Sequence, residues 1–196
     1  MDVELHEEGA ASLADYGRVP IAFVVDRVLD GAVVGDGLGG IALVERPVSV
    51  PWTKDYDADA GEAPARWAKR FDVSRWGFLL ARAGGEPVGG AVIAYDTPGV
   101  RMLEERRDLA VLWDLRVAPE RRGAGLGRRL FAAAERWAAA RGCAWLKIET
   151  QQINVRACRF YARQGCTLGA IHRFAYPALP DEIQLLWYKR LAPSAG

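Results

Sequence analysis

The sequence predicts an α/β layered fold in which helices pack against a sheet. Two observations lead there. Between residues 109 and 164 the hydrophobic pattern alternates strand, helix, strand, helix. Two further strand-like runs, 167–171 and 183–188, then follow with no helix between them, as an antiparallel return requires.

The elements follow in chain order. Residues 19–29 and 40–44 read as short strands. Residues 50–65, rich in Pro, Asp and Gly, suit a mobile surface segment able to meet a substrate, and a short helix is expected over 65–71. Residues 76–83 and 88–95 flank the turn Ala-Gly-Gly-Glu-Pro and predict a hairpin. Residues 109–118 are apolar apart from two charges, as in a strand covered on both faces, and Pro119 ends it. From 125 to 141, Leu126, Leu130, Ala134, Trp137, Ala138 and Arg141 recur at helical spacing, with Gly142 as the stop. Residues 143–149 return to strand character. Asn154 is placed to cap a helix that runs to Gln164 and breaks at Gly165.

Composition narrows the function. The 196 residues are 51% apolar and 26% charged, which fits one soluble domain over 1–196. A net charge of +1 leaves no field to hold nucleic acid or an anionic membrane, so neither partner is expected. Three cysteines without zinc-ligand spacing argue against a disulfide framework and against a metal. With no export signal and no apolar run approaching the roughly 18 residues that span a bilayer, a cytoplasmic location is expected.

The chemistry starts at Arg121-Arg122-Gly123-Ala124-Gly125-Leu126-Gly127, a turn between a strand and a helix. Backbone N–H groups at a helix start have no intrahelical acceptor, glycine lets an anion approach them, and the helix dipole adds positive charge. Arg121, Arg122, Arg128 and Arg129 add full charges, so the turn suits a pyrophosphate. The dinucleotide fingerprint fails because Arg128 stands where it needs Gly or Ala, and the phosphate loop fails for want of Gly-Lys-Ser/Thr.

Arg122-x-x-Gly125-x-Gly127 resembles the Q/R-x-x-G-x-G/A signature of GNAT acetyltransferases. About thirty residues on, Asn154, Ala157, Tyr161 and Gly165 match that family's Asn-x-x-Ala-x-x-x-Tyr-x-x-x-Gly helix, with Cys166 in place of the usual Phe. The resemblance implies the GNAT acyl-CoA N-acyltransferase fold, with a central mixed, mostly antiparallel sheet flanked by helices. It places N-terminal strands and an acceptor loop in 1–108 and an acetyl-CoA-binding core in 109–191. The cofactor residues it implies are Leu115, Arg116 and Val117 on the strand, with the Val117 N–H toward the acetyl carbonyl. To these it adds Arg122, Gly123, Ala124, Gly125, Leu126, Gly127 and Arg128 in the turn, and Asn154, Ala157 and Tyr161 on the later helix. Tyr161 matches the tyrosine whose phenol lies near the sulfur, where it can protonate the leaving thiolate. Asp114 and Glu149, on inner strands, are the candidate bases, and each is equally suited to pairing with Arg116 or capping a loop.

Residues 147–166 and 182–189 further resemble streptothricin acetyltransferases and their unassigned bacterial relatives, which implies a small cationic amine acceptor. Its wall is expected from Trp52, Asp55, Tyr56, Asp57 and Asp59, with Trp113 and Tyr176, since carboxylates and aromatic faces both attract ammonium. The expected reaction is direct attack by a primary amine, because no cysteine has a histidine spaced to activate it. Two alternatives stay open: a protein or peptide N-acetyltransferase, and a noncatalytic acyl-CoA-binding sensor. Short C-terminal strands would allow a homodimer paired across a two-fold axis.

Overall fold

The computed structural model describes residues 2–58, 61 and 63–192. Among them the chain forms, in order, β1 (Val3–Glu8), α1 (Leu13–Tyr16), β2 (Phe23–Val33), β3 (Ile41–Lys54), α2 (Pro64–Arg70), β4 (Gly77–Ala83), β5 (Glu86–Ala94), β6 (Leu109–Val117), α3 (Leu126–Ala139), β7 (Trp145–Gln151), α4 (Val155–Arg163), β8 (Thr167–His172) and β9 (Gln184–Arg190). The architecture is α/β with a large, mostly antiparallel sheet. The chain divides into two compact units, one of residues 1–22, 55–147 and 190–196, the other of 23–54 and 148–189. No helix among the described residues is long and apolar enough to cross a membrane.

In the first unit β1, β4, β5 and β6 lie side by side, each antiparallel to the next. The expected hairpin is β4 and β5. Burial of almost every side chain in β4 and β5 explains their near-continuous apolar runs. One face of this sheet takes α3, which buries Leu126, Leu130, Phe131, Ala134 and Trp137 along one stripe. The other face takes α1 and α2, where Tyr16, Trp67, Trp76, Phe78, Leu80 and Val92 form a core. Val92 pairs with Asp114 but Ile93 with Leu112, so Trp113 is the extra residue of a β-bulge in β6.

Gly90 shows how closely the second face is packed. A Cβ there would lie 2.6 Å from Tyr16 Cε2 and 2.7 Å from the Leu79 carbonyl oxygen. The carbonyl belongs to a paired strand and cannot move aside. Gly90→Ala should therefore destabilise the fold by about 1–3 kcal/mol, the usual cost of overpacking, read as a lower denaturant midpoint at unchanged slope.

In the second unit β2 and β3 make an antiparallel ribbon, and β8 pairs antiparallel with β9 as the expected return. The backbone at Gln152 ties both pieces together: its carbonyl accepts from the Leu29 N–H at 3.0 Å, and its N–H donates to the Ile183 carbonyl at 3.0 Å. Arg159 of α4 and Arg27 of β2 both bond Glu45 of β3. The strand expected over 19–29 thus has the predicted length but is shifted to Phe23–Val33, the one expected over 40–44 runs on as Ile41–Lys54, and 50–54 of the expected surface segment is strand. Val25 pairs with Trp52 while Arg27 pairs with Pro47, so the prolines that read as punctuation sit at a break in register, where a missing N–H is tolerated. β1 was not expected. It is an outer strand with Val3 and Leu5 as its only large apolar residues, too short a pattern to stand out.

Candidate active site

The first unit carries the phosphate turn. Gly123 and Gly125 take φ of +81° and +87°, and a Cβ at either would meet nothing within 4 Å. The left-handed backbone therefore opens onto free space, which an anion can occupy without displacing a side chain. Gly125 is the N-cap of α3 and supplies no side-chain cap, and the Arg129 N–H is bonded to the Gly125 carbonyl at 3.1 Å. The N–H groups of Leu126, Gly127 and Arg128 precede that first helical bond and are the donors such a turn offers. Gly123 and Gly125 fit a pyrophosphate on this ground. Arg128 is exposed beside them, and an open groove lined by Leu5, Arg128, Arg129, Ala132 and Arg136 continues the positive charge along α3.

Arg122 has another task. Its guanidinium donates to the carbonyls of Val117 at 2.9 Å and of Pro20 and Ala22 at 3.3 Å each. It fastens the end of β6 to the segment before β2 and so fixes the mouth of the turn. Leu115 and Val117 are half-buried on β6, between that anchor and the bulge.

Arg116 points into the first unit and is 2 % exposed. Its guanidinium donates to the Val19 carbonyl at 3.1 Å, to both oxygens of Asp57 at 2.8 and 3.3 Å, and to both oxygens of Asp114. The Tyr16 ring lies under it, 4.8 Å from ring centre to guanidinium carbon. Burial works against the charge of Arg116, but Asp114, Tyr16 and Asp57 outweigh it and hold the group protonated. Burial pushes the Asp114 carboxyl above its ordinary value, and Arg116 draws it part of the way back. Asp114 is thus the ion-pair partner that the Asp-x-Arg spacing on one strand allowed. Its side chain is 6 % exposed and both of its oxygens accept from Arg116.

Trp113 packs edge-on or tilted against Trp67, Phe71 and Trp76 at 5.2–6.4 Å between ring centres. This is the packing of a core tryptophan. Asp55 and Tyr56 sit at a 3-10 turn over Tyr56–Ala58, Asp55 exposed and Tyr56 half-buried, with Asp55 Oδ1 accepting the Asp57 N–H at 3.0 Å. Asp59 lies outside the described residues.

The second unit carries the helix motif. Asn154 caps α4, its Oδ1 accepting the Ala157 N–H at 3.1 Å. Tyr161 is 6 % exposed, with its ring 5.2 Å from that of Phe160 in a T-shaped contact. The Tyr176 hydroxyl donates to Glu149 Oε1 at 2.5 Å, which joins a candidate base to a candidate acceptor residue 27 positions away that no local rule pairs with it. Gln152, also missed, uses its side chain to hold the loop between β8 and β9: Nε2 donates to the Asp181 carbonyl at 2.7 Å and Oε1 accepts the Ile183 N–H at 2.6 Å. Trp52 on β3 is 43 % exposed. Among the described residues no cluster of His, Cys, Asp and Glu is arranged to hold a metal.

Residues 43–166 match the Acetyltransferase (GNAT) family. The chain is 31% identical over 172 residues to a streptothricin acetyltransferase of Escherichia coli, covering 85% of this chain and 84% of the relative. Its fold is similar to the crystal structure of nourseothricin acetyltransferase, with a TM-score of 0.76 at 24% identity over 98% of this chain and 100% of that one. It is similar also to a putative streptothricin acetyltransferase from Bacillus anthracis str. Ames in complex with acetyl coenzyme A, with a TM-score of 0.72 at 22% identity over 98% and 99%.

Proposed function

The chain belongs to the GNAT acetyltransferase family, and from that premise we propose that it transfers the acetyl group of acetyl-CoA to a primary amine of a small, cationic, streptothricin-like molecule. Its class is that of the acetyl-CoA-dependent N-acetyltransferases. The observation that carries the cofactor assignment is the uncapped start of α3, where two left-handed glycines open the backbone N–H groups to an anion. Likeness to streptothricin acetyltransferases over most of the chain supports the acceptor class.

Acetyl-CoA supplies an activated thioester; the protein supplies positions and protons. In this reading the N–H groups of Leu126, Gly127 and Arg128 bind the pyrophosphate, and the backbone of Leu115 and Val117 aligns the arm and polarises the acetyl carbonyl. Asn154 and Ala157 shape the start of the α4 surface, and Tyr161 Oη gives its proton to the departing thiolate. The amine attacks the acetyl carbonyl directly through a tetrahedral intermediate, the C–N bond forming before the C–S bond breaks, and the ammonium proton passes to a base. Glu149 is the better base of the two candidates, since Asp114 is shut in with Arg116 while Glu149 is half-buried and already bonded to a phenol. Trp52, Asp55, Tyr56 and Tyr176 are assigned to the acceptor.

The test is thiol release from acetyl-CoA against streptothricin, polyamines, aminoglycosides and lysine-containing peptides. Turnover concentrated on streptothricin is the expected result. Faster turnover of peptides would replace it with the protein N-acetyltransferase reading, and tight acetyl-CoA binding with no turnover of any amine would favour the sensor.

A further inference from the structure

The Asp57–Arg116–Asp114 cluster has no part in the chemistry just described, yet it is the most heavily bonded charge group near β6. A buried guanidinium is tolerated only when its donors are used, and here Val19, Asp57 and Asp114 take them. Two of these three partners were in place without Asp57. Asp114 is two residues away on the same strand, and Val19 lies in the segment that Arg122 also pins. Asp57 is different. It comes from the Tyr56–Ala58 turn, which belongs to no sheet, and its side chain is 24 % exposed, so water was available to it. Its two bonds to Arg116 therefore fix the turn more than they satisfy the carboxylate. The Asp55 side chain in turn closes on the Asp57 N–H, so the chain Arg116, Asp57, Asp55 is continuous.

We infer that Arg116 is a positioning residue for the acceptor: through Asp57 it sets the Tyr56–Ala58 turn and so presents Asp55 and Tyr56, while Asp57 itself makes no contact with the amine. The inference rests on the acceptor role proposed for that turn. It also reassigns the acidic loop, because the carboxylates that sequence alone treats alike divide into a strut, Asp57, and a presented group, Asp55.

The experiment compares Asp57→Ala, Asp57→Asn, Arg116→Lys and the Asp57→Ala/Arg116→Lys double variant, each first checked for a cooperative melt. Losing a charge-assisted bond of ordinary strength should raise the acceptor KM of Asp57→Ala about tenfold, with the acetyl-CoA KM within about twofold of wild type. Asp57→Asn, whose amide oxygen still accepts from the fork, should fall between. The double variant should bind acceptor no worse than Asp57→Ala alone, since the two residues act through one link. Additive losses would mean that Asp57 meets the acceptor directly and would overturn the inference. So would a fall in kcat with neither KM moved, which is the mark of a smaller folded fraction. Amide exchange at residues 55–58 is read without turnover. If no amine is acetylated by wild type, the proposed function fails; if Asp57→Ala leaves that exchange unchanged, the strut fails on its own.

Discussion

Tyr161→Phe should lower kcat about a hundredfold or more while acetyl-CoA binds with unchanged affinity, because general-acid groups contribute roughly 10²–10⁴ to rate. The substitution keeps the ring that packs against Phe160 and removes only the hydroxyl, so α4 should remain folded. Isothermal titration with acetyl-CoA and single-turnover acetylation separate the two quantities. A variant with full kcat would reduce the tyrosine to a packing residue and leave the thiolate to leave unprotonated.

The second large effect is expected on cofactor affinity. Gly125→Val forces a β-branched residue to φ +87°, which costs about 1–2 kcal/mol in backbone energy and puts its methyl groups into the open space before the α3 N–H donors. Acetyl-CoA affinity should fall about a hundredfold, roughly 2.7 kcal/mol, with a modest loss of stability. Gly99→Val is the control. Gly99 lies in the loop before β6 at φ +82° with nothing within 4 Å of its Cβ position, so it carries the same backbone penalty away from the turn. It should lower the melting temperature and leave the acetyl-CoA KM unchanged. If both variants lose affinity equally, the defect is general instability and the phosphate assignment is wrong.

How much of this was legible depends on the range over which each interaction is encoded. The α3 stripe was readable because Leu126, Leu130, Ala134, Trp137 and Ala138 all face one sheet, and the same residues are buried. The hairpin of β4 and β5 announced itself by its turn. The β2 and β3 ribbon did not, because Val24, Val33, Val44 and Val50 are exposed and the alternation that marks a half-buried strand is diluted. At the site, local rules found the Asn154 cap and made the Asp114 and Arg116 pair available as one of two readings. Asp57 reaching Arg116 across 59 positions left no trace, since nothing in the sequence sets Asp57 apart from Asp55 and Asp59. Tyr176 and Glu149 were each singled out, but only folding of the loop between β8 and β9 brought them within a hydrogen bond.

The three thiols bear on how the reaction can be watched. Cys143, Cys158 and Cys166 are all buried, and burial pushes Cys143 and Cys158 up to about 11. Aryl disulfide dyes react with thiolates, and at neutral pH those two sulfurs hold their protons behind packed side chains. The folded enzyme should therefore be nearly silent to such a dye, so that colour in the assay counts coenzyme A as it is released. A sudden rise in colour without an amine acceptor would instead report unfolding, which makes the same reagent a stability probe for every variant above.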